Sequence, residues 1–351
     1  MSAALFAALL MLVAIGEFAV FMAFPAGEPR SVIVRVYPGT SLAGVADALQ
    51  QQGVITSAWK FRWLARLTGK GAYLRAGEYD LNPGHTPGRI LDTLAQGKVR
   101  LNEVTIPEGY NMVQIAATLQ AAGLVKSERF LAICADQTLI REMGVEGDTL
   151  EGYLFPDTYD IPFYMSEEAI IRMMVKHFKT VWGRYGAEAK RQGMSMRKVV
   201  TLASIVEKET GRADERPLVS AVFRNRLRQG MRLQSDPTVI YGLSGFNGDL
   251  TRRDLLTPHP YNTYTESGLP AGPIANPGEA SIKAALRPAQ CQYLYFVSRN
   301  DGSHQFSCCL SDHNAAVNHY QRRVRNTAPS DVVAVPVAGT PGTGSGAQKR
   351  H

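Results

Sequence analysis

"SVIVRVYPGTSLAGVADALQQQGVI", Ser31–Ile55, decides the fold class. Val32, Val34 and Val36 alternate like one face of a strand, Pro38-Gly39 marks a turn, and Leu42, Val45, Ala46 and Leu49 recur at helical spacing. At an offset of 70 residues (39 to 109) the pattern returns as "EVTIPEGYNMVQIAATLQAAGLV", Glu103–Val125. Gly39 then meets Gly109, Leu42 meets Met112, Val45 meets Ile115, Leu49 meets Leu119 and Gly53 meets Gly123. A strand, turn and helix unit used twice is the expectation. Between the copies, "AGEYDLNPGHTPGRILDTLAQGK" (Ala76–Lys98) predicts a further strand, turn and short helix. The chain is therefore read as α+β, with a module over 30–126 that carries an internal repeat.

The 351 residues are enough for two or more domains, and 45% hydrophobic content is that of a globular protein. The net charge of +7 is modest for this length, and no basic run is interleaved with aromatics, which argues against nucleic acid as a partner. Ser2–Phe24 matches the roughly 20 apolar residues of a membrane-spanning helix, interrupted only by Glu17. A transmembrane anchor over 1–25 is the reading, with a cleaved signal peptide as its competitor; the apolar run exceeds the usual ~7–15 residues of a signal core. Cys134, Cys291 and the adjacent Cys308 and Cys309 lack metal-ligand spacing, so neither a metal site nor a cofactor is expected. Cys134 and Cys291 are expected as small buried residues.

Beyond Ser127 the pattern is mostly helical to about Tyr185, broken by "LEGYLFPDTYDIP" (Leu150–Pro162), which reads as an irregular loop. Its three aromatics and three acids suit a carbohydrate groove, since ring faces stack on sugars and carboxylates bond their hydroxyls. A loop that covers a core has the same composition. Further helices are expected at Met196–Thr210, Glu215–Gln229, "EASIKAALRP" and about His313–Asn326, with a hairpin at "YLYFVSRNDGSHQFS". The tail over 327–351 is expected to be disordered.

"LASIVEKETG" (Leu202–Gly211) ends an apolar helix on two carboxylates. At 100° per residue, Glu209 lies roughly 70° and Glu207 roughly 90° from the centre of the apolar face, on opposite flanks, while Lys208 points outward. Both acids are borderline, with a slight preference for Glu209, which continues the stripe Val199, Leu202, Val206. A partly desolvated carboxyl there has a raised pKa and stays protonated to donate to a leaving oxygen; a solvated helix end is the plain alternative.

The module over 30–126 is similar to the LysM type, which grips glycan chains in bacterial walls; a spacer without a ligand is the alternative. The chain as a whole resembles the YceG-like family of endolytic murein transglycosylases. The resemblance rests on "EGYLFPDTY" (Glu151–Tyr159), "ASIVEKET" (Ala203–Thr210), "MRLQSDPTVIYG" (Met231–Gly242), "YNTY" (Tyr261–Tyr264), "GLPAGPIANPG" (Gly268–Gly278) and "YLYFV" (Tyr293–Val297). It implies a single-pass inner-membrane protein with a catalytic domain over 127–326 facing the periplasm. It implies internal cleavage of nascent peptidoglycan strands to leave 1,6-anhydro-N-acetylmuramic acid ends, beside peptidoglycan synthases as partners. It also places the catalytic glutamate on Glu209. The basic residues that usually precede the family's anchor are missing here.

Groove candidates are Glu151, Tyr153 and Phe155 from the aromatic loop, Gln234, Asp236 and Tyr241, and Asn262, Thr263 and Tyr264: planar faces for sugars, polar groups for N-acetyl and hydroxyl substituents. Asp236 before Pro237 equally suits a helix cap. Glu207 is the second-ranked catalyst, or else orients Glu209 or bonds Arg224 or Arg226. A hydrolytic muramidase, with Asp236 holding a water, and a non-catalytic wall-binding anchor remain as alternatives.

Overall fold

The computed structural model describes residues 3–246 and 248–322. The described residues are 50% helical and 9% strand, so helix packing rather than an extended sheet supplies most of the core. Contacts divide the chain into two units, Met1–Cys291 and Gln292 onward. The tail expected to be disordered, 327–351, lies outside the described residues.

Helix α1 (Ala3–Ala23) is apolar throughout, and its Leu5–Ala23 stretch is long and apolar enough to cross a membrane, a test that a signal sequence also passes. Most of its described side chains are exposed, while Phe18 and Phe21 near its end pack into the following segment. That segment comprises β1 (Val32–Val36), α2 (Leu42–Gln51), α3 (Ala58–Leu67), a 3-10 turn at Lys70–Tyr73, β2 (Gly77–Leu81) and α4 (Pro87–Gln96). β1 and β2 pair antiparallel from Val32↔Leu81 to Val36↔Gly77. Their inward residues Val34 and Tyr79 meet Leu49, Phe61, Ile90 and Leu94 in one buried cluster. Each such side chain contributes about 1.5–3 kcal/mol on burial, which holds a two-stranded sheet too small to stand alone.

The second copy of the repeat follows as β3 (Asn102–Thr105) and α5 (Met112–Ala121). The helices start 70 residues apart (42 to 112), and the turn glycines share left-handed backbone, Gly39 at φ 80° and Gly109 at φ 77°. α5 opens with a capping box between Asn111 and Gln114. β3 takes its partner from β4 (Thr158–Ile161), so a pairing crosses position 126. The loop expected at Leu150–Pro162 thus ends in a strand. Its alternating burial in Thr158–Ile161 becomes a strand signal only once β3 lies beside it.

Helices α6 (Ser127–Cys134), α7 (Gln137–Glu142), α8 (Glu167–Trp182) and α9 (Gly186–Arg191) lead to α10 (Met196–Glu209). Every residue of α10 from Val199 to Val206 is buried. Against it pack α11 (Arg216–Arg228), α12 (Asp236–Gly242) and α14 (Glu279–Leu286), with α13 (Arg252–Leu256) beside α12. Cys134 is buried as expected, whereas Cys291 is partly exposed. In the second unit, β5 (Tyr295–Ser298) and β6 (His304–Ser307) form the expected hairpin, and Asn300 at φ 64° and Gly302 at φ 83° supply its left-handed turn. The last helix starts earlier than expected: α15 runs Leu310–Val317, and a wider turn continues to Arg322.

Candidate active site

Helix α10 is the platform. Ser195 caps its start by accepting from Lys198 N. At its other end Thr210 N still bonds Val206 O, while Thr210 Oγ1 accepts from Arg212 N at 3.1 Å and starts the turn towards α11. The two carboxylates on either side of Lys208 meet opposite fates.

Glu207 is fully engaged. Oε1 accepts from Arg216 Nη2 at 2.8 Å and Oε2 from Gly278 N at 3.0 Å, which ties α10 to the start of α11 and to the loop before α14. Arg216 also reaches Glu108 at 3.2 Å. The sequence reading offered Arg224 or Arg226 as the partner of Glu207. Arg216 takes that place because α11 opens beside the end of α10, whereas Arg224 bonds Gln192 and Ala285 O, and Arg226 bonds Leu233 O.

Glu209 has a different environment. Ser235 Oγ donates to its Oε1 at 2.5 Å. Ser235 is itself fixed, with its N–H donating to Thr263 Oγ1 at 3.0 Å and its carbonyl accepting from Thr238 Oγ1 at 2.6 Å. Protein atoms crowd the carboxyl while part of the residue stays open to solvent. Burial raises its pKa to about 7; Asp236 adds to the rise, and Ser235 and Arg226 oppose it. Asp236 does not cap α12 but is its first residue, after Ser235 at the cap position, and accepts from Tyr264 OH at 2.5 Å. Gln234, exposed beside them, holds φ 53°, an uncommon left-handed conformation for a residue with a side chain. Thr263 O accepts from its N–H.

A second buried carboxyl, Glu151, sits in the wall of a cleft of about 950 Å³ lined also by Met112, Gln114, Lys208, Pro237, Ile240, Tyr241 and Phe246. Met112 N, Asn276 Nδ2 (2.9 Å) and Tyr241 OH (3.0 Å) all donate to it. Burial lifts its pKa to about 7 against the pull of these donors. Gly152 next to it, at φ 89°, brings the backbone so near Pro273 and Val200 that a Cβ would fall 2.7 Å from each. Helix α12 links the two carboxyls. Its first residue, Asp236, lies by Glu209, and Tyr241, five positions and about 7.5 Å further along the axis, bonds Glu151.

Of the residues singled out in the sequence, Glu209, Gln234, Asp236, Thr263 and Tyr264 therefore form one cluster, and Glu151 and Tyr241 another. Tyr153 and Phe155 join neither. The ring of Tyr153 packs edge-on against Phe178 with its hydroxyl on Glu146 O, and Phe155 lies against His177; both are buried and neither offers a face to a sugar. Asn262 is buried under the loop, where its amide donates to the carbonyls of Asp254, Leu255 and Thr257. Thr263 is also buried and acts through Ser235. Two residues of the site escaped the sequence reading. Ser235 was passed over between two better-known polar neighbours. Asn276 joins Tyr110 O, Leu154 N and Glu151, and the signal for it was a lone amide in a Pro- and Gly-rich loop.

The sequence profile of the YceG-like family matches residues 34–319. A Bacillus subtilis protein named endolytic murein transglycosylase is 34% identical over 83% of this chain and 85% of its own length. A Streptococcus pneumoniae protein of the same name is 29% identical over 83% of this chain, which spans 59% of that relative. The crystal structure of a YceG-like protein from Listeria monocytogenes superposes with a TM-score of 0.58 at 34% identity, covering 81% of this chain and 98% of the other.

Proposed function

The chain belongs to the YceG-like family, and on that premise we propose that it is a peptidoglycan lytic transglycosylase with Glu209 as its acid and base. The relatives' names support the reaction class, and the setting of Glu209 supports the assignment. The carrying observation is a carboxyl at the open end of a buried helix, kept protonated near neutral pH by burial and aimed by a serine that is itself held from two sides.

The reaction balances with one carboxyl. Glu209 gives its proton to the glycosidic oxygen as the bond from C1 of N-acetylmuramic acid breaks and N-acetylglucosamine leaves. The C6 hydroxyl of the same muramic residue then bonds to C1, and its proton returns to Glu209. The product carries a 1,6-anhydro end and no water is consumed. The 950 Å³ cleft beside α12 is where the strand lies, with Tyr241 and Glu151 in its wall and Gln234, Asp236 and Tyr264 at the Glu209 end.

Helix α1 holds the enzyme at the inner membrane with the remainder outside the cytoplasm, the LysM-like module grips glycan, and cutting near the synthases ends strand elongation. A hydrolytic muramidase is the second reading, favoured by one observation: Asp236 is close enough to Glu209 to raise its pKa and is a candidate to hold a water.

The test is digestion of freshly polymerised glycan by the full chain and by Glu209→Gln, with products weighed by mass spectrometry. Internal fragments with anhydro ends, lost in the variant, are expected. Fragments heavier by one water identify the muramidase, and cleavage that survives in the variant removes Glu209 from the mechanism.

A further inference from the structure

We propose that helix α3 is an interfacial helix, laid on the headgroup layer of the bilayer that α1 enters. The inference rests on the reading of α1 as a retained anchor. One side of α3 is core: Ala58, Phe61, Leu64 and Ala65 are buried. The other side is exposed and apolar, with Trp59 58%, Trp63 43% and Leu67 69% accessible. At 100° per residue these three cluster within roughly 80° of arc, with Arg62 and Arg66 on one edge and Lys60 on the other. Trp59 and Trp63 pack edge to face at 6.2 Å. An aromatic stripe edged by cations suits the acyl–headgroup boundary, where indoles settle and guanidinium groups meet lipid phosphates.

Continuity with the anchor selects the bilayer over another protein. Lys60 Nζ lies 3.0 Å from the Glu17 carboxylate on α1, and Phe21 of α1 is buried in the same core as Phe61 of α3. α3 is thereby fixed at the level of Glu17, six residues or about 9 Å before the end of α1. A helix tied at that level to a membrane-entering helix lies beside the bilayer, with its exposed face towards the headgroups.

The experiment uses the full chain with Trp182→Phe, which leaves Trp59 and Trp63 as the only tryptophans. It is reconstituted into phosphatidylethanolamine–phosphatidylglycerol vesicles with and without lipids brominated near the headgroup end of the acyl chain. Most of the tryptophan emission should be lost with the brominated lipid, and aqueous iodide should quench little of the rest. Arg62→Glu with Arg66→Glu should reduce the bromine quenching; unchanged quenching in that pair would overturn the headgroup contact. Flotation separates the two failures. Protein that does not float with the vesicles defeats both the anchor and this inference, whereas floating protein whose tryptophans are quenched by iodide and not by bromine defeats the inference alone.

Discussion

Ser235 Oγ donates to Glu209 Oε1 at 2.5 Å, and this contact joins the end of α10 to the start of α12. A donor to a carboxylate favours the charged form, so it restrains the rise that burial imposes. Ser235→Ala should therefore move the alkaline limb of kcat/KM to higher pH. It should also slow cleavage at pH 6 about tenfold, the kinetic equivalent of one hydrogen bond to a charged group. A pH profile on polymerised glycan reads both effects, and a fixed limb would show that Ser235 does not act through Glu209.

With Glu209 as the proposed acid, kcat/KM of the unmodified enzyme should fall as pH rises through about 7, where that carboxyl loses its proton. A transglycosylase that uses one carboxyl as acid and then base needs no second group ionised beforehand. The acid side of the profile should stay flat until the fold fails. A bell shape with an acid limb near pH 4, abolished in Asp236→Asn, would instead mark a carboxylate that activates water.

Glu209→Gln should be more stable than the parent at alkaline pH. The folded carboxyl titrates at about 7, above the 4.5 of a free glutamate. Between these values the folded state keeps a proton that the unfolded chain has released, so stability drops as pH rises through the window. Glutamine carries no such penalty. Urea unfolding should show an advantage on the order of 2 kcal/mol at pH 8 that shrinks towards zero near pH 5; an advantage independent of pH would refute the linkage.

Glu151→Gln should be costly. Both carboxylate oxygens accept, and a glutamine would turn its NH2 towards Met112 N, Asn276 Nδ2 or Tyr241 OH. A loss of about 1–3 kcal/mol is expected from the unmatched donors. Tyr241→Phe removes one of these bonds and keeps the ring, so it should cost less stability. If the cleft binds glycan, KM should rise in Tyr241→Phe with kcat little changed.

Glu207→Ala should lower stability by about 3–5 kcal/mol, the usual result of stripping one partner from a buried ion pair. Arg216 would keep only Glu108, and Gly278 N would lose its acceptor. In the fraction that folds, anhydro products should persist. A variant with parental unfolding behaviour and no cleavage would place Glu207 in the chemistry.

The legible parts of this protein were those fixed by neighbours along the chain. Alternation and helical spacing located β1, α2, α10 and α11, Asn300 and Gly302 announced the β5–β6 turn, and the offset of 70 residues reappears in the matched φ angles of Gly39 and Gly109. The aromatic loop was the opposite case. Tyr153 and Phe155 carry groove-like chemistry, but α8 lies over them and turns both rings inward. Composition cannot distinguish a ring that faces a sugar from one that faces Phe178.

By itself the sequence determined an apolar N-terminal helix, a repeated strand, turn and helix, and an apolar helix that ends on two carboxylates, because these depend on contacts within a few residues. The tertiary structure decided how the two carboxylates differ in their partners. A stripe ranks positions only when a helix has a wet side, and α10 is buried all round from Val199 to Val206. The ranking came instead from distant partners: Arg216 and Gly278 claim both oxygens of Glu207, while Ser235, 26 residues beyond Glu209, takes a single one of its oxygens.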